Sequence, residues 1–166
     1  MEALPTTQTT THRVAFKVAV ISEDCIDKRK FIRTQCYAGA RRITKLSDGM
    51  YELIYIIGEY KWEVCVMVHL VSTLVCDYDS VICLVDDTNI AGATVFELVP
   101  VGTKHLIVIG LNTQLHPWVD VRQHVQDLII SRHCMYFDVD LETRYNIEKP
   151  FLEVLKQCVD SSVYLA

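Results

Sequence analysis

The chain has 166 residues, 51% of them hydrophobic and 22% charged, with 16 Lys and Arg against 21 Asp and Glu. That length suits one domain with a single core, and the apolar content excludes a disordered chain. The longest uncharged runs, 64–76 and 105–119, fall short of the ~20 residues a bilayer span needs, and both contain polar residues, so no membrane span is expected.

Residues 1–12 form a Thr-rich, Pro-containing stretch without periodicity, read as a disordered tail. It lacks the basic-then-apolar pattern of a secretion signal, which makes cytoplasm or nucleus the expected compartment. The domain proper is expected over 13–160, with a short tail at 161–166. Residues 14–21 are a short apolar run bounded by Ser22, Glu23 and Asp24, the pattern of a buried strand. Cys25, Arg29, Ile32 and Cys36 then recur at helical spacing behind a Ser/Asp start signal.

Residues 28–45 hold seven basic residues (Lys28, Arg29, Lys30, Arg33, Arg41, Arg42, Lys45) and no acidic one. Removing them leaves 9 basic against 21 acidic in the rest of the chain, so the net charge of -5 hides a local basic stripe. Such a stripe fits nucleic acid or an acidic partner, and equally a solvated helix face plus loop. Only Phe31 and Tyr37 interleave with it, which makes direct nucleic-acid contact unlikely.

Residues 50–57 and 62–71 are β-rich runs around Gly58-Glu59-Tyr60-Lys61, a hairpin signal. Residues 81–85 and 106–109 are further apolar strands, the first ending at Asp86-Asp87 and the second at Gly110. Between them lies Val95-Phe96-Glu97-Leu98-Val99, whose apolar residues cover more of a helix than one sheet face can bury. Val95, Phe96, Leu98 and Val99 are therefore candidate partner contacts, with a core-filling turn as the equal alternative. Val163-Tyr164-Leu165 is also apolar.

His116-Pro117 opens a helix carrying Val121, Val125, Leu128 and Ile129, with Pro tolerated in the first turn. A last short strand at 135–137 ends at Asp138, and 145–159 closes the domain as an amphipathic helix. Apolar strands alternating with amphipathic helices specify an α/β fold: an open, six-stranded, mostly parallel sheet covered on both faces, with one antiparallel edge strand.

Seven cysteines (Cys25, Cys36, Cys65, Cys76, Cys83, Cys134, Cys158) show no C-x-x-C pair, which argues for buried thiols rather than zinc or disulfides. His133, Cys134 and Asp138 are a poor nucleophile set, because neighbours on a strand point to opposite faces. His69 has no second histidine at metal spacing. Asp86 and Asp87 lack a phosphate loop to complete a magnesium site.

Ligands of such sheets bind beyond the strand carboxyl ends. There the first strand is followed by Ser22-Glu23-Asp24-Cys25-Ile26-Asp27-Lys28-Arg29. Laid on the phosphate loop G-x-x-x-x-G-K-[ST], it keeps only the lysine, Lys28; Ser22 and Asp27 replace the glycines and Arg29 the metal-binding hydroxyl. A carboxylate ~4 Å from a phosphate charge costs roughly 4 kcal/mol at an effective dielectric of ~20, about 10³ in affinity. Glu23, Asp24, Asp27, Asp86, Asp87, Asp138, Asp140 and Glu142 are expected to make the rim acidic and repel a triphosphate.

The strand order, the hairpin and Lys28 resemble the Ras-superfamily small GTPases. Tyr136-Phe137-Asp138 followed by 145–151 is similar to the closing strand and helix of Ran-type members. The family's functional motifs are absent: Val68-His69-Leu70-Val71 stands for Asp-x-x-Gly, Leu111-Asn112-Thr113-Gln114 for Asn-Lys-x-Asp, and Asp140-Leu141-Glu142 for Ser-Ala-Lys. Ser22-Glu23-Asp24, Val68-His69-Leu70 and Tyr136-x-Asp138 with Asp140 and Glu142 resemble the centromere protein M family, nucleotide-free relatives of the small GTPases in the inner kinetochore.

That resemblance implies a non-catalytic pseudo-GTPase without cofactor or metal, with Lys28 as a vestige of the phosphate loop. It implies location at the centromere and kinetochore in the nucleus. The implied partners are a helical-repeat protein like centromere protein I, with centromere proteins H and K alongside. The contact candidates are Val95, Phe96, Leu98 and Val99, and secondly Arg41, Arg42 and Lys45. Two alternatives stay open: a divergent Ran-like GTPase that still binds guanine nucleotide, and a pseudo-GTPase adaptor of vesicle or motor complexes.

Overall fold

The strands follow one another as short, wholly apolar runs in the computed structural model, which describes residues 13–24, 26–57, 62–74, 77–86, 94–103, 105–111 and 118–163. The Thr-rich start, the expected hairpin turn at 58–61, Cys25, Cys76, Asp87, residues 112–117 with the expected helix start at His116-Pro117, and the apolar residues Tyr164 and Leu165 lie outside these. Strand β1 (Arg13–Ser22) is followed by helix α1 (Lys28–Thr34), prolonged by a 3-10 turn at Gln35–Tyr37. Strands β2 (Arg42–Ser47), β3 (Met50–Ile57), β4 (Trp62–Leu70) and β5 (Ser80–Asp86) come next. A 3-10 turn (Thr94–Leu98), β6 (Leu106–Leu111), α2 (Trp118–Arg132), β7 (Met135–Val139) and α3 (Lys149–Val163) complete the chain order.

One sheet holds all seven strands in the order β2-β3-β4-β1-β5-β6-β7. Pairings β4·β1, β1·β5, β5·β6 and β6·β7 are parallel, whereas β3 is antiparallel to both β2 and β4. The α/β, mostly parallel expectation holds, with two corrections. The sheet has seven strands rather than six, and the reversed strand, β3, lies one position in from the edge. The missed strand is β2, which overlaps the end of the basic stripe. Four of its six residues are exposed, so no apolar run marks it.

The β2–β3 turn needs Gly49. Its φ of +75° is left-handed, and a Cβ there would meet the Leu70 carbonyl oxygen at 3.1 Å. That approach is productive, because Leu70 N–H donates to Gly49 O at 2.7 Å and ties the turn to the end of β4.

Alternation along the central strands builds a core on each face of the sheet. On one face Val18, Val20, Ile82, Leu84, Ile107 and Ile109 pack under Phe31 and Ile32 of α1 and Phe151, Val154 and Leu155 of α3. The Phe151 ring lies between those of Phe31 and Tyr55, at centroid distances of 6.0 and 6.2 Å. On the other face Ala19, Ile21, Val81, Cys83, Val85 and Val108 meet Val95 and Val99, with Val125 and Leu128 of α2 packed on them. Each fully buried aliphatic contributes about 1.5–3 kcal/mol of transfer free energy.

α3 starts at Lys149, four residues later than the apolar spacing suggests. Arg144 and Asn146 have φ of 64° and 57°, which no right-handed helix accommodates. They belong to a folded loop in which Asp140 bridges to Tyr145. At its far end α3 runs through Val163, into the stretch expected as tail.

Candidate functional site

The crevice beyond the strand ends is built from the loop after β1, the start of α1 and the loop after β7. In the first of these, the α1 amides that a phosphate loop would offer to a ligand are already bonded. The Asp27 carboxylate accepts from the backbone N–H of Arg29 at 3.0 Å and of Lys30 at 3.2 Å. Asp27 is thus the helix N-cap, in extended conformation (φ -80°, ψ 95°).

Lys28 is half-buried, and its ammonium donates to the carbonyl of Val71, just past β4, at 3.0 Å. Burial lowers its pKa from the ordinary lysine value, and Asp24 partly opposes that shift. Glu23 turns the other way and accepts from the Val95 N–H at 3.2 Å, while its own N–H donates to Leu84 O.

The acidic rim is therefore not a row of free charges. Asp140 is buried, and its carboxylate accepts from the N–H of Glu142 at 2.9 Å and of Thr143 at 3.3 Å. Glu142 pairs with Lys30 and so fastens the loop after β7 to α1. Asn146 donates to Asp138 O at 3.0 Å, and the Arg144 guanidinium stacks 3.6 Å from the Tyr37 ring centroid. Four of the eight expected repelling carboxylates, Glu23, Asp27, Asp140 and Glu142, act as local caps and ties.

His69, at the end of β4, packs edge-on to Tyr78 with centroids 5.6 Å apart, and Lys17 Nζ lies 5.1 Å over the same ring. The histidine pKa is lowered by burial and secondarily by Lys17. Cys83 is buried in apolar surroundings that push its thiol up to about 12, and burial raises Cys134 as well. Neither thiol is disposed to act as a nucleophile. Among the described residues no group of three His, Cys, Asp or Glu side chains is placed to hold a metal ion. None of the described helices is long and apolar enough to cross a membrane.

The apolar segment at 95–99 divides. Val95 and Val99 are each 2% exposed and belong to the second core, so they are corrected from contact candidates to core residues. Phe96 is half-buried against the same core, and Leu98, 46% exposed, faces solvent.

Sequence reasoning missed what holds this turn. Arg132, the last residue of α2, donates to Phe96 O and to Val99 O, both at 2.8 Å, with its guanidinium 6.0 Å from the Phe96 ring centroid. No spacing rule links residues 36 apart, so no local signal marks the clamp. The basic residues Arg41, Arg42 and Lys45 lie together at the β2 edge, away from this turn in the sheet order.

No protein-family model matches the chain, and no curated protein matches it either.

Proposed function

We propose that the chain is a catalytically inactive, small-GTPase-like scaffold: a structural subunit of the inner kinetochore that docks on a helical-repeat partner and binds no nucleotide. The fold part of this reading is supported by the sheet. With β2 set aside, the order β3-β4-β1-β5-β6-β7 with β3 reversed is the one that the small-GTPase resemblance implies. The kinetochore part rests on the short resemblances at 22–24, 68–70 and 136–142 to the centromere protein M family.

The observation that carries the inactive reading is the double self-occupancy of the loop after β1. Asp27 takes the helix amides and Lys28 is committed to Val71 O, so both halves of a phosphate cradle have internal partners. A phosphate would have to displace the carboxylate and the carbonyl before gaining any hydrogen bond. A scaffold of this kind acts by surface complementarity, since switch loops have no phosphate to hold them in a second state.

Calorimetry of the full chain with Mg²⁺–GTP and with Mg²⁺–GDP is expected to give no heat of binding. Tight binding of either would overturn the inactive reading in favour of a divergent GTPase. Affinity purification of the tagged protein from cells tests the assembly: kinetochore subunits are expected, and vesicle-coat or motor subunits in their place would defeat the assignment. Leu98 is the residue to change. Leu98→Glu is expected to leave the isolated domain folded and to abolish recovery of the partner. Full recovery with a folded variant would remove this turn from the contact surface.

A further inference from the structure

The sheet has two edges, and they are finished differently. At β7, a side chain is bonded to the strand backbone, Asn146 donating to Asp138 O. At β2 nothing comparable is present: among the described residues no strand, helix or side chain bonds its outer side, and no proline interrupts it. Alternate residues of this six-residue strand thus offer backbone donors and acceptors to another strand.

The side chains along this edge select what can pair with it. Arg41, Arg42 and Lys45 are exposed, and the Asp48 carboxyl of the β2–β3 turn is held low by its hydrogen bond to Lys45 and that ammonium's charge, then by Arg29. Their ion pairs within the chain, Arg42 with Glu52 at 3.5 Å and Lys45 with Asp48 at 3.1 Å, leave both basic side chains more than half exposed. Pairs that wet are worth little and exchange readily. Two β2 strands meeting edge to edge would set basic residues against basic residues, which disfavours a second copy.

We propose that β2 is a docking edge for an acidic, extended segment of a partner protein, which adds an eighth strand to the sheet. Arg42 and Thr44 fall on one face and Ile43 and Lys45 on the other. A fitting segment therefore carries acidic residues opposite Arg42 and Lys45 and an aliphatic one opposite Ile43. Backbone hydrogen bonds supply the affinity and the charges choose the sequence. The edge is distant in sheet order from Leu98, and the proposal stands whether or not the partner belongs to a kinetochore.

The test uses isotope-labelled full chain and a ten-residue peptide of Glu and Val with Glu-Val-Val-Glu at its centre, which sets Glu opposite Arg42 and Lys45 and Val opposite Ile43. Three controls accompany it: the same peptide N-methylated at alternate amides, a Lys/Val peptide, and the Arg41→Glu/Lys45→Glu double variant. Expected are amide shifts and slowed hydrogen exchange confined to Arg42–Ser47 and their neighbours, weakening as salt rises. Loss of binding is expected on N-methylation or with the Lys/Val peptide. The double variant, checked for folding by its spectrum, is expected to bind about tenfold more weakly. Any of four results would overturn the proposal: no binding by the Glu/Val peptide, equal binding by the N-methylated one, protection mapping elsewhere, or self-association of the free chain through β2.

Discussion

At the scale of single residues, the physics of this protein is mostly one of polar groups finding partners inside the chain. The sequence places a Ser/Asp start signal at 22–24, ahead of Cys25, whereas the cap is Asp27 and α1 begins at Lys28. What the sequence did not convey is that the Asp27 carboxylate takes the amides of both Arg29 and Lys30. Lys28 was read as a vestige of a phosphate loop, yet its bond to Val71 joins residues 43 apart and cannot be inferred from spacing.

His69 carries a pH consequence. Burial and Lys17 hold its imidazole below the ordinary value, so the unfolded chain takes up a proton at higher pH than the folded one. Stability is expected to fall as pH drops through about 6.5 and to level off below the folded pKa. Denaturant midpoints measured between pH 7.5 and 5 check this: His69→Gln should lose the part of the slope that the imidazole supplies. An identical slope in the variant would place the titration elsewhere.

At the scale of elements, the apolar strands were readable because strands buried on both faces are nearly continuous in Val, Ile and Leu. β1, β5 and β6 are such strands. β2 was not readable for the opposite reason, since solvent covers most of it and its pattern is that of a basic loop. The segment at 95–99 shows a third case. Its apolar excess was visible, but only the Arg132 clamp fixes which side chains turn inward.

Arg132→Ala should therefore loosen the turn without dissolving the sheet. The two backbone carbonyls lose charged donors, costing about 2 kcal/mol. Amide exchange at residues 95–99 is expected to quicken while β1 and β5 keep their protection. Unchanged exchange there would mean that Val95 and Val99 alone hold the segment.

At the scale of the whole molecule, both cores hang on the same strands. Val18 and Val20 point into one while Ala19 and Ile21 point into the other, and β5 and β6 divide in the same way. Neither layer can melt while the other keeps its floor. One cooperative unfolding transition is expected, with backbone dichroism and tryptophan fluorescence superimposed. Ile82→Ala, in the first core, should cost about 2–5 kcal/mol of stability and lower that single midpoint rather than split it. Two separated transitions would show the layers to be independent.

The loop after β1 is anchored by its own carboxylate and amine, and that bears on timing. In a protein whose grip on its ligand loosens by hydrolysis, residence on a partner is metered by a chemical clock. If the scaffold reading holds, a loop already clasped at both ends has no such clock. On the scaffold reading, the fraction of this subunit in its assembly follows from how much is made, how fast it is destroyed and how tightly its surface fits. A cell wishing to remove it must change one of those three.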